Sequence, residues 1–239
     1  MDDPGNAAPS VSETSERQAV VTALIAAVAA AASAILAVYA TATWHAVTTH
    51  PVAFVGFLGT AALLQLKVIE VPDEGAVSFA NVGMLGAAFE LGTGPAMVVG
   101  AVAALMRFAA ARGRLDRAIF DAATLALASA TATATYHAAQ ALDTHPNDRF
   151  GPSVFAAAVF YLVNVGLLST AMGLSDGVSP FQIWKQRFRW LAPFTLAAGP
   201  YAAVTVVVYK SIGITGILAM AIAPAALVAP VGRAMHWTR

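Results

Sequence analysis

Runs of about twenty apolar residues recur from end to end of this chain, and that recurrence constrains its fold more than any other feature. Between turn-forming or charged residues they cover 20–44, 52–69, 77–91, 95–111, 118–142, 153–174, 190–209 and 212–231. In hydrocarbon no water satisfies backbone N–H and C=O groups, so each run must pair its own. None shows the alternation of barrel strands. The expected fold is all-α: a polytopic integral membrane protein of six to eight transmembrane helices. Only 11% of the residues are charged, against about 25% in soluble domains, and eight runs within 239 residues leave no room for a large soluble domain. Catalytic or output work is therefore expected of another chain.

Residues 1–17, MDDPGNAAPSVSETSER, are polar and acidic and lack the basic start of a signal peptide. They read as a disordered cytosolic tail. A single helical transmembrane domain is expected over 18–233, with a short cytosolic tail over 234–239. Lys and Arg concentrate on the cytoplasmic side of membrane proteins. Placing the basic stretches RFAAARGRLDR and Lys185, Arg187, Arg189 inside puts both termini inside, with eleven of the thirteen basic residues cytoplasmic. The exceptions are Arg149 and Lys210.

On that topology VIEVPDEG is a cytoplasmic-side turn and Val77 to Leu91 a short helix returning outward. Fifteen residues rise only about 22 Å, less than a bilayer core of about 30 Å. Such a helix needs neighbouring protein to shelter its ends. Its glycines, Gly83 and Gly86, and the following Gly92, Gly94 and Gly100 suit close helix packing.

Polar groups at membrane depth are costly and so mark sites by default. Ser78 and Asn81 are three apart and share a face of the short helix; Glu90 lies nine residues beyond Asn81, on the opposite side of the axis. Asn164 is a lone amide in the span VFYLVNVGLL. These four are the expected ligand-binding residues. Lys67 with Glu70, and Arg117 with Asp121, have pairing distances in sequence and are expected to be structural. Thr124, Thr131 and Thr135 form a weakly polar stripe at helical spacing. His45, His50, His137 and His145 gather toward the external face and are the available metal ligands, yet none has a compact spacing such as HxxxH, so ordinary interfacial histidines are the preferred reading. Cysteine is absent. No nucleophile constellation, phosphate-binding glycine loop or HExxH occurs, so neither an enzyme, a bound cofactor nor a nucleic-acid partner is expected.

The segment VPDEGAVSFANVGMLGAAFELGTGPAMVVGAVAAL, the arginine-rich loop, and RAIFDAATLALASATATATYHAA resemble the multi-span membrane region that precedes HD-GYP phosphodiesterase or GGDEF cyclase modules in bacterial signalling proteins. VFYLVNVGLL and the run from Gly199 and Pro200 through Tyr209 to Gly216 resemble its later spans, so the likeness covers about Ala61 to Arg233. Where that family usually reads Phe-Asn-Ala, this chain has Phe120, Asp121 and Ala122. In the family the signalling module follows the last span, whereas this sequence stops at Arg239. The resemblance thus implies a sensor-like domain of the bacterial inner membrane whose output lies in a separate protein. In architecture the chain is also similar to substrate-binding subunits of energy-coupling-factor vitamin and metal transporters. The expected partners are membrane lipid, a protein in the membrane or at its cytoplasmic face, and a small ligand; a structural subunit of a larger membrane complex is the third reading.

Overall fold

Every apolar run that the structure describes forms helix, but the first is broken and the third is shorter than its sequence suggests. A computed structural model describes residues 11–66, 69–71, 75–111, 114–142 and 149–222. Helices α1 (Val11–Val38), α2 (Ala40–Thr49) and α3 (Pro51–Leu66) come first. A hairpin follows, with strands β1 (Ile69–Val71) and β2 (Gly75–Val77). Beyond it run α4 (Ala80–Glu90), α5 (Thr93–Ala111), α6 (Leu115–Leu142) and α7 (Phe150–Asp176). The short α8 (Pro180–Ile183) leads through a π-helical turn and a 3-10 turn into α9 (Ala192–Ile212), and a further helical stretch is described over 214–222.

Among the described residues five helical segments are long and apolar enough to cross a membrane, or six if the bent α2–α3 pair is one span. The chain is a helical, multi-pass membrane protein. Residues 223–231 of the expected final span, 212–231, lie outside the described residues.

The differences from the sequence reading have local causes. Residues 11–17, expected in a disordered tail, form the first turns of α1. The first run breaks at Tyr39, and α2 meets α3 at 103° across His50 and Pro51. Proline disfavours helix in the residue before it, and His50 has left the helical region at φ −126°, ψ 51°. Around the expected turn, Ile69–Val71 and Gly75–Val77 pair as antiparallel strands, with Ile69 opposite Val77, Glu70 opposite Ala76 and Val71 opposite Gly75. Ile69, Val71 and Val77 are β-branched, which suits strands. That hairpin takes the beginning of the expected fifteen-residue helix and leaves α4 with eleven residues.

Helix α4 rises about 16 Å, roughly half a bilayer core. It is the centre of the fold. Nine of its eleven residues are buried, enclosed by α3, α5, α6 and α9. Backbones approach closely because glycine faces the contact: a Cβ at Gly83 would stand 2.6 Å from the Ala61 nitrogen and 2.8 Å from the Phe57 oxygen. The main core runs through Phe57, Leu64, Met84, Leu85, Phe89, Tyr136, Phe160 and Val206. By contrast α1 buries little beyond Val28 and Ala32 against α6 and α7. At the end of α7, Gly177 adopts φ +68°, and the Val178 N–H reaches back to the Gly173 carbonyl. A left-handed residue there suits glycine.

Candidate functional site

Helix α4 carries polar groups at both ends and none between, so its environment is two sites rather than one. At the hairpin end the Ser78 hydroxyl lies 3.0 Å from the Leu64 carbonyl and 2.8 Å from Gln65 Oε1, and it accepts the Ala80 N–H at 3.2 Å. One hydroxyl thus ties the end of α3 to the start of α4. Asn81, one turn on, has a buried amide oxygen that no group among the described residues satisfies. Buried acceptors nearly always find a partner, so this atom is an open position for a donor.

The other end of α4 gathers charge. Glu90, 15% exposed, is 2.9 Å from the ammonium of Lys210, which is 49% exposed on the last turn of α9. Next to Glu90, the Phe89 ring stacks on Tyr136 with centroids 4.0 Å apart. The Tyr136 ring is buried at 1% exposure. Its hydroxyl accepts from Gln140 Nε2 at 3.2 Å, with Arg149 and Glu90 both close enough to act on it electrostatically. His137 meets the Tyr136 ring edge-on. A carboxylate, two cations, a phenol and an amide from four elements therefore converge on the end of one short helix.

Ser78, Asn81, Glu90 and Asn164 do not form a single pocket. Asn81 and Glu90 are about 13 Å apart along α4. Asn164 lies half-buried on α7, whose main packing partners are α6 and α9, and makes no hydrogen bond among the described residues. Two surface grooves, of about 220 Å³ by Glu16, Arg17, Val20 and Leu174 and about 250 Å³ by Ala139, Leu142, Gly151, Pro152 and Phe155, border none of the four.

No family model, curated protein or solved structure matches this chain. The likeness to the membrane region of bacterial signalling proteins accordingly rests on the segments quoted for it between Ala61 and Arg233 alone.

The remaining sequence-derived candidates fall in separate places. Lys67 and the Glu70 side chain lie outside the described residues, as does His145. Arg117 and Asp121 make no salt bridge among the described residues; Asp116 takes Arg114 instead, at 2.8 Å, and Arg107 and Arg117 act on Asp121 only at longer range. In the threonine stripe Thr131 and Thr135 bond carbonyls one turn back, whereas the buried Thr124 hydroxyl has no partner among the described residues. His45 and His50 are exposed around the α2–α3 bend and His137 is exposed on α6. Among the described residues no three His, Asp or Glu side chains come together as a metal site. Lys210, Arg149, Tyr136 and Gln65 were not singled out from the sequence as site residues. One signal pointed at two of them: Arg149 and Lys210 are the two basic residues that the charge rule leaves outside, and both reach the α4 end.

Proposed function

We propose that this chain is a non-catalytic recognition domain of a bacterial inner membrane, which senses a small ligand or a partner subunit and acts through a separate protein. The observation that supports it is the Glu90–Lys210 pair. Ionised groups at membrane depth are retained where they do work, and this pair joins the enclosed central helix to α9. Both termini face the cytosol in this reading, and the Glu90 end of α4 faces outward. A charged ligand or subunit that engages Glu90 or Lys210 competes with their contact and changes how α4 docks on α9. Helix α9 runs from that end to the other membrane face and carries the change across. Asn81, with its open acceptor, is the responsive point at the inner end; Asn164 offers α7 a second donor and acceptor toward a neighbouring subunit.

The test is gentle detergent extraction of the tagged chain, as wild type and as Glu90→Gln, with identification of whatever copurifies. A cyclase, phosphodiesterase or kinase in near-stoichiometric amount, reduced in the variant, is the expected result. Recovery of an ATPase and a coupling protein assigns the chain to a vitamin or metal transporter instead. A large assembly whose composition ignores Glu90→Gln rejects the sensor reading in favour of a structural subunit.

A further inference from the structure

The link between α7 and α9 has an architecture that the recognition reading does not use. Pro180 to Ile212 forms a nearly continuous helical segment of 33 residues, about 50 Å long, against a hydrocarbon core of about 30 Å. Trp190 to Tyr209 already supplies the apolar length of one span. The ten residues before it, PFQIWKQRFR, therefore extend to headgroup level.

Their local structure presents charge there. From Trp184 to Phe188 the helix widens into a π turn, closed by the Arg189 N–H on the Trp184 carbonyl. Turns of this kind recur at functional sites. Tyr161 of α7 pins it: its hydroxyl donates to the Phe188 carbonyl at 2.8 Å and accepts from Trp184 Nε1 at 2.9 Å. With Trp184 held against α7, helical spacing puts Lys185 and Arg189 together on one flank and Arg187 on the other. All three are exposed. Among the described residues none has a carboxylate in salt-bridge range, and Asp176, at the end of α7, pairs with none of them. Around them stand interfacial aromatics: Phe181, 66% exposed, stacks on Trp184, and Trp190 meets Phe194 edge-on. Unneutralised cations flanked by tryptophan at the end of a span suit an anionic headgroup with its acyl chains alongside.

We infer that this segment is a binding site for anionic phospholipid, with Lys185 and Arg189 on one flank and Arg187 on the other holding headgroup phosphates and the aromatic residues lying at the interface. The alternative, that these cations only set topology, predicts no lipid selectivity.

The test uses the full chain in mild detergent and reads thermal stabilisation by added phosphatidylglycerol, phosphatidylcholine or inorganic phosphate. Phosphatidylglycerol alone is expected to stabilise it. Combining Lys185→Gln, Arg187→Gln and Arg189→Gln should raise the half-saturating phosphatidylglycerol concentration at least about tenfold, whereas Arg107→Gln, Arg114→Gln and Arg117→Gln, removing equal charge, should leave it unchanged. If the first triple variant aggregates, Arg187→Gln alone is read in the same assay, with a loss of about fivefold expected. Equal stabilisation by phosphatidylcholine, an equal loss in the control triple, or an inorganic phosphate response matching that of the lipid overturns the inference.

Discussion

Lys210 Nζ sits 2.9 Å from Glu90 Oε2 and fastens the last turn of α9 to the last turn of α4. The partners are unequally exposed, at 49% and 15%, so removing one is not equivalent to removing the other. Lys210→Ala leaves a mostly buried carboxylate without its cation and should lower stability by about 2 kcal/mol, between the values for surface and buried pairs. Glu90→Gln leaves a half-solvated ammonium and should cost about 1 kcal/mol or less. Apparent Tm in detergent checks the order. Equal losses would mean that Glu90 is better solvated than its burial implies.

The glycines of α3 and α4 offer an internal control. A methyl group at Gly83 meets the α3 backbone at 2.6 Å, while one at Gly59 meets nothing within 4 Å. Gly83→Ala must push two helices apart and is expected to cost about 1–3 kcal/mol. Gly59→Ala should be neutral or slightly stabilising, since alanine is the better helix former. Thermal unfolding of the two variants side by side decides the matter.

Ser78→Ala removes the group that joins Leu64, Gln65 and Ala80. The expected loss is about 1–2 kcal/mol, and amide exchange at Ala80 should accelerate more than exchange in the middle of α4. Uniform acceleration along α4 would show that the hydroxyl does not hold this end.

Tyr161→Phe keeps the ring and deletes both bonds that pin the π turn. With the Phe188 carbonyl left unpaired, a loss of about 1–3 kcal/mol is expected. Trp184 should become more accessible to an aqueous quencher, and unchanged quenching would argue that packing alone seats the turn.

Because the chain contains no cysteine, single cysteines report its orientation without background. Ser175 and Ser211 are exposed near opposite ends of the α7–α9 layer. In intact cells Ser211→Cys should react with a membrane-impermeant maleimide and Ser175→Cys should not. The reverse pattern inverts the proposed topology.

The sequence by itself determined the solvent: apolar runs this long must satisfy their backbones as helices in lipid, and their boundaries match α5, α6 and α7 to within about three residues. It also marked residues 77–91 as too short to cross a membrane alone, because length is a local property. Tertiary structure decided what that segment became. Val77 pairs with Ile69 in a hairpin, the remaining eleven residues occupy the middle of the bundle, and Glu90 finds Lys210 some 120 positions later. Hydropathy records how much water a residue tolerates but not which distant helix stands beside it. The partners of Glu90, the Tyr136 cluster around it and the staple through Tyr161 arise only when packing brings separate helices together.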